Sequence, residues 1–336
     1  PAMQPGAIAE VVFYLQNIAT LQNIMQHAGL NVRIGTLLPE ITTATQIDLP
    51  NGQTITLEPI VRKNNKLGVE NFDPCAVLLN NDLSTGVPEI LQNLNQIVIP
   101  PLHAGWATRR KSDHFAAYDR VAQEFAELIG IDPWLINPRF TSCGEINFRE
   151  KQGEECVASA VDRILSIIRK KYQQYGVKDD PFVIVKADSG TYGMGIMTVK
   201  DGADIYQLNR KQRNKMAVVK EGMQVSNVLV QEGVYTFENI NQAVAEPVIY
   251  MIDRYVVGGF YRVHTGRGID ENLNAPGMYF VPLAFETTCL VPNSAAQPNF
   301  IPNRFYAYGV VARLALLAAA LELEQNVARS APPLPA

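Results

Sequence analysis

Val183-Ile-Val-Lys186-Ala-Asp188-Ser189-Gly190-Thr-Tyr-Gly193-Met-Gly195-Ile-Met-Thr-Val199 is the stretch whose reading decides the fold. A β-branched run ends in a lysine. Residues 188–195, three of them glycine, follow, and then a second strand begins. Glycines let backbone N–H groups approach an anion and adopt positive φ. A lysine at the strand end adds a compact cation beside the same anion. The expected element is a β-loop-β flap that covers phosphate, mobile until a nucleotide arrives. A P-loop needs its lysine after the glycines and before a helix, and the dinucleotide fingerprint needs G-x-G-x-x-G opening a helix. Neither pattern is present. A Gly-rich stretch alone fits a long hairpin turn equally well, and Lys186 tips the reading toward a nucleotide.

Downstream, Val228-Leu-Val-Gln231-Glu232-Gly233-Val234 reads as an apolar strand ending in a hinge. Such a turn can offer backbone groups to an adenine edge, with Glu232 accepting from ribose hydroxyls. Strand-like runs at 247–252 and 255–264 form a hairpin turned by Asp253-Arg254, with Arg262 on the return strand and Asn272-Leu-Asn274-Ala-Pro-Gly277 beyond it. Arginine binds phosphoryl oxygens bidentately, so this hairpin is a candidate holder of a transferred phosphoryl group.

Upstream, helix and strand alternate. Apolar residues at helical spacing over 7–28 meet a stop at Gly29. A strand over 31–38 follows, then a hairpin around Pro50-Asn51-Gly52, a buried parallel strand over 75–79, a short helix after Pro88 and a strand over 96–99. This order implies an open α/β sheet. A helix capped by Ser112 runs to Ile129, and another spans 154–175 with Glu154 and Glu155 at its positive end. An Ala/Leu-rich helix over 303–323 closes the fold, before a loose Pro-rich tail at 331–336.

At 336 residues the chain suggests about two domains. With 47% hydrophobic and 18% charged residues it can bury a core. A net charge of −4 argues against bulk binding to nucleic acid or acidic membrane. The apolar stretch 310–323 is too short to span a bilayer. The chain opens at Pro1 without Met, and no export signal is read there, so a cytoplasmic location is expected. Cys75, Cys143, Cys156 and Cys289 lack metal-site spacing and read as reduced thiols buried as small hydrophobes. His27 reads as a solvated helix end, and His103 and His114 as structural neighbours of Lys111.

Taken in order, lysine with Gly-rich loop, Gln-Glu-x-Val hinge, hairpin with arginine and Asn-Leu-Asn-x-x-Gly resemble the ATP-grasp enzymes, glutathione synthetase among them. Three segments carry a nearer likeness: Lys186-Ala-Asp-Ser-Gly-Thr-Tyr-Gly-Met-Gly-Ile196, Ile99-Pro-Pro-Leu-His-Ala-Gly-Trp-Ala-Thr-Arg-Arg-Lys-Ser-Asp-His114 and Leu79-Asn-Asn-Asp-Leu-Ser84. They resemble the ATP-grasp-type glutamate–cysteine ligases of proteobacteria, and the likeness runs from about residue 8 to 323. It implies an α/β plus α+β chain: an N-terminal open α/β domain at 1–103, then a two-lobed ATP-grasp domain with lobes at 104–230 and 231–330. It also implies a further segment before Pro1.

The resemblance implies ATP and magnesium, with glutamate and cysteine as small-molecule substrates, no nucleic acid or membrane partner, and room for a homo-oligomer. Lys111, Lys186, Ser189, Gly190, Gly193, Gly195, Gln231, Glu232 and Val234 correspond to nucleotide contacts. Lys186, Arg262 and Asn274 correspond to the catalytic and phosphoryl contacts. The family's closing metal strand is not found after the last helix. Glu145-Ile-Asn147 has its Glu-x-Asn spacing but precedes Lys186, so Asp253 and Glu286 stand as metal candidates. The alternatives are another ATP-grasp ligase such as glutathione synthetase, or a nucleotide-binding protein without turnover.

Overall fold

The computed structural model describes residues 7–81, 83, 86–106, 108–190, 195–218, 224–283 and 304–330. The chain divides into two units, 1–83 with 87–102 and 84–86 with 103–336.

In the first unit, α1 (Ala7–His27) ends just before Gly29, which takes φ +82. β1 (Ile34–Thr36), β2 (Thr45–Asp48) and β3 (Thr54–Pro59) form a sheet in the order β1-β3-β2, with β1 parallel and β2 antiparallel to β3. The Pro50-Asn51-Gly52 turn joins β2 to β3 as expected, while the strand expected over 31–38 shortens to β1. Leu15 and Ala19 of α1 pack against Leu49, Ile55 and Leu57.

β4 (Val61–Lys63) and β5 (Lys66–Gly68) form a hairpin that the apolar pattern missed. Its turn is Asn64-Asn65, both at positive φ, the conformation that matches strand twist in two-residue loops. β6 (Ala76–Leu78) pairs in parallel with β7 (Ile97–Ile99). The parallel pairing agrees with the sequence, but the expected burial does not, because Leu78 is 47% and Ile97 66% exposed. Between them stands a 3-10 turn at Glu89–Leu91.

The second unit opens with α2 (Lys111–Ile129), closed by Gly130 in the left-handed conformation. β8 (Phe140–Cys143), α3 (Glu154–Tyr175), β9 (Val183–Ala187), β10 (Ile196–Val199), α4 (Arg210–Ala217) and β11 (Val228–Glu232) follow. The sheet order is β10-β9-β11-β8, antiparallel throughout. β9 and β10 are adjacent, as the flap reading requires. β8 and α4 were missed: β8 is a polar Phe-Thr-Ser-Cys segment, and α4 is nearly all polar.

One face of this sheet is covered by α3, whose Val157, Val161, Ile164, Leu165 and Ile168 pack on Val183, Val185, Val228 and Val230. A second sheet, ordered β12-β13-β14-β15, is made by β12 (Asn239–Ile240), β13 (Ala243–Ile252), β14 (Tyr255–His264) and β15 (Tyr279–Leu283). β13 and β14 are the expected hairpin.

α5 (Arg304–Ser330) is longer than the stretch from which a membrane span was excluded, and Tyr306–Gln325 is long and apolar enough to cross a bilayer by length and composition. Here its Leu314 and Ala318 pack on Ala117, Tyr118, Val121 and Ala122 of α2. Glu322, 1% exposed, receives Arg109 Nε at 2.7 Å and Arg109 Nη2 at 2.6 Å, and lies 3.1 Å from His114 Nδ1. His114 is therefore structural, as expected.

Burial pushes the Glu322 carboxyl up, but hydrogen bonds from Arg109 and His114 outweigh it and hold the group down at about 2. A depressed carboxylate contributes stability that is full above its unfolded value and disappears as pH falls through its folded one. The contribution is therefore lost between about pH 4.5 and 2. Arg109→Met leaves the buried charge without its main partner and should cost about 3–5 kcal/mol at pH 7. Denaturant titration should show a smaller penalty at pH 4, where the stranded carboxyl is protonated. An equal penalty at both pH values would contradict this account.

Candidate active site

The flap root and the start of α2 meet in one buried knot. The N-cap residue Arg110 makes no side-chain cap bond. Instead the Asp188 carboxylate accepts from Ser112 N at 2.8 Å and Ser112 Oγ at 2.7 Å, while Lys111 N donates to Asp188 O at 2.9 Å. Ser112 is thus not the cap expected from sequence. The cap arrives from the end of β9, where Asp188 is 4% exposed and its charge faces the positive end of the helix.

Lys111 Nζ donates to three carbonyls, Ala187 O at 2.8 Å, Ser189 O at 3.2 Å and Gly190 O at 2.9 Å. An ammonium has three protons, so all its donors are engaged. Burial lowers the Lys111 pKa, and Asp188 opposes the shift. Lys111 therefore grips the flap root rather than presenting its charge to a phosphate. Gly190 at φ +85 and Gly195 at φ +62 take the positive φ expected of the flap, and Ala187 N donates to Gly195 O at 2.9 Å across its base. Gly193 lies outside the described residues.

Strand pleat decides which side chains face away from α3. On β9, Val183, Val185 and Ala187 point to α3, so Lys186 points to the opposite face. Lys186 sits opposite Leu229 of β11, which puts Gln231 diagonally beside it on that face. Lys186 Nζ donates to Gln231 Oε1 at 2.5 Å and lies 4.8 Å from the ring centroid of Phe115 on α2. Phe140, opposite Gln231 on β8, packs against Phe115 at 5.4 Å between centroids. Burial first, and the charge of Lys111 second, push the Lys186 ammonium down to about 8, with Asp188 pulling it back. Phe115 and Phe140 were not identified from the sequence, where each reads as an ordinary apolar residue.

The same pleat turns Glu232 away from Gln231. Its Oε1 accepts from Trp134 Nε1 at 2.8 Å and its Oε2 from Arg139 N at 2.9 Å. Each oxygen accepts a bond inside the fold, and Glu232, 4% exposed, braces the hinge from behind, where burial raises its pKa. A β-carbon on Gly233 would meet the Phe182 ring at 2.1 Å, so only glycine fits that turn. Val234 beyond it is 68% exposed.

Arg262 stands opposite Glu246 on β13, with Nη1 to Glu246 Oε1 at 2.5 Å. Its Nε is buried without a hydrogen-bond partner among the described residues. Asn274 belongs to a loop held by His264, whose Nδ1 accepts from Gly266 N at 3.0 Å. That fixes Nε2 as the donor to Pro276 O, also at 3.0 Å. Thr198 and Lys200 reach this loop at Asp270, at 3.4 and 3.0 Å.

Asp253 sits exposed in the tip of the β13–β14 hairpin, about 25 Å along the strand from Arg262 at the usual rise. The two do not share a site. Glu286 lies outside the described residues, and among those described no group of three His, Cys, Asp or Glu side chains converges on a metal position. Of the cysteines, Cys143 is buried as expected, whereas Cys75 and Cys156 are exposed, and Cys289 lies outside the described residues.

The family profile described as glutamate-cysteine ligase, GshA, matches residues 5–323. A crystal structure from Methylobacillus flagellatus KT, of a protein assigned as a gamma-glutamylcysteine synthetase, is 65% identical and superposes with a TM-score of 0.84. The match covers 94% of this chain and 74% of that one. A comparison with curated proteins found no match. The antiparallel pair β9 and β10, the two four-stranded sheets and these likenesses converge. The chain belongs to the glutamate–cysteine ligase family, ATP-grasp enzymes that join glutamate to cysteine at the expense of ATP in the first step of glutathione biosynthesis.

Proposed function

We propose that Lys186 is the residue that meets the ATP phosphates, with the backbone of Ser189, Gly190, Gly193 and Gly195 folding over them. The observation that carries this reading is a half-buried ammonium, its pKa lowered to about 8 by desolvation, on the α3-free face of the sheet and next to the flap root. Gln231, the turn at Gly233 and Val234 form the adenine hinge. Arg262, with its unpartnered Nε, and Asn274 meet the transferred phosphoryl group and the substrate. The γ-phosphoryl group passes to the γ-carboxylate of glutamate, giving an acyl phosphate and ADP. The amine of cysteine attacks the acyl carbon and phosphate leaves. Such a reaction depends on positioning and on neutralising developing charge.

Magnesium accompanies ATP in ATP-grasp enzymes, where it neutralises phosphate charge. Asp253, exposed at the hairpin tip and far from Arg262, does not fit as its ligand. Lys111 is a positioning residue in this reading. The lobes are taken as 104–230, around the first sheet, and 231–330, around the second. A cytoplasmic site of action follows from the need for ATP and thiol cysteine.

Lys186→Met keeps length and removes charge. Phosphate release dependent on both glutamate and cysteine should fall about 10²–10³-fold, with the fold retained by circular dichroism. Wild-type turnover in that variant would remove the nucleotide role.

Because the Lys186 charge in the free protein is lost as pH rises through about 8, affinity for a non-hydrolysable ATP analogue should weaken above that pH. Calorimetric titration from pH 7 to 9.5 measures it, and Lys186→Arg should show no such decline. A flat profile in the wild type argues against direct contact.

Lys111→Met should cost about 1.5–3 kcal/mol, the worth of hydrogen bonds to a charged group. It should also speed amide exchange at the flap root in the absence of nucleotide. Unchanged exchange there would contradict the anchoring role.

A further inference from the structure

Away from the nucleotide face, Cys156 Sγ lies 2.6 Å from Cys143 Sγ. Cys143 ends β8 and is buried. Cys156 is in the first turn of α3 and is exposed. The sulfurs are in contact, and a disulfide needs about 2.05 Å, so they close by roughly half an ångström. Among the described residues no third His, Cys, Asp or Glu joins them in a metal-binding group. The pair is therefore a dithiol rather than part of a metal centre.

We propose that Cys143 and Cys156 form a reversible oxidation site: the folded chain closes them into a disulfide that ties β8 to α3 and keeps Cys156 from irreversible oxidation. The two thiols have unequal roles. Burial, with the hydrogen bond from Cys156, pushes the Cys143 thiol up to about 12, against the nearby charge of Arg163. Cys143 is thus the protected, resolving thiol. Cys156 is open to solvent and is the thiol that an oxidant reaches first.

The oxidant is a hydroperoxide. The Cys156 thiolate attacks its outer oxygen, forming an S–O bond and breaking the O–O bond, and the alcohol or water leaves with a proton. The Cys143 sulfur then attacks the sulfenic sulfur. The S–S bond forms, the S–O bond breaks, and the hydroxide leaves as water with the Cys143 proton. Two thiols lose two protons and two electrons, and the peroxide is reduced. A small dithiol reverses the change by exchange.

The site also touches the architecture of the flap. Val228 of β11 pairs with Cys143 on one side and with Ala187 on the other. Cys143 is therefore two strand spacings, about 10 Å, from the flap root.

The test is hydrogen peroxide titration of the full chain, followed by intact mass and peptide mapping. Exposed Cys75 is the internal control, and the dose is raised until Cys75 is modified. The expected result is a loss of 2 Da mapped to a Cys143–Cys156 cross-linked peptide, reversed by dithiothreitol. The melting temperature should rise by about 5 °C, as for closure of a short loop. Cys143→Ser, and separately Cys143→Ala in case serine perturbs the core, should let Cys156 gain 32 Da as sulfinic acid. Free thiols at both positions once Cys75 has reacted would overturn the proposal. So would a cross-link formed only in urea, or sulfinic acid at Cys156 in the wild type.

Discussion

Asp188 holds the second unit's working parts together. Its carboxylate supplies the missing cap of α2, and its backbone carbonyl takes the first N–H of that helix. A helix end leaves its first N–H groups unpaired, and burying them without partners is costly. Asp188 resolves that cost and, in the same contact, fixes where α2 begins relative to the end of β9. Lys111 adds a second tie by gathering the carbonyls of Ala187, Ser189 and Gly190. With the helix start set, Phe115 falls over Lys186, and Arg109 and His114 fall on Glu322 of α5.

The pleat of the first sheet then sorts adjacent residues into different jobs. Val183, Val185 and Ala187 build the core with α3, and Lys186 between them is sent to the opposite face. Gln231 joins Lys186, while its neighbour Glu232 is turned into the structure to hold Trp134 and Arg139. A period of two sends neighbouring side chains to opposite faces of the sheet. The second sheet repeats the arrangement, with Tyr261 and Val263 in the core and Arg262 on the other face.

Charge is kept under tension at the site. Lys186 and Lys111 are both desolvated and disfavour each other, and Asp188 offsets part of that cost. In the proposed nucleotide site, a ligand bringing negative charge to Lys186 would relieve the remainder. At Glu322 the buried charge is paired with Arg109 and His114 and serves the packing of α2 on α5.

The sequence by itself determined the elements whose signals are local. β-branched runs, the glycine stop after α1, the turn at Pro50-Asn51-Gly52 and the amphipathic α3 all follow from near neighbours in the chain. So does Lys186, placed near the end of its strand before a glycine-rich loop. Tertiary structure decided what depends on distant partners. Asp188 as the cap of α2, the engagement of every Lys111 donor, the inward turn of Glu232 and the separation of Asp253 from Arg262 each rest on contacts between residues far apart in sequence. β8 and α4 were missed for the same reason: a short polar strand is held by its place beside β11, and a polar helix by its packing, and neither leaves a hydrophobic period to read.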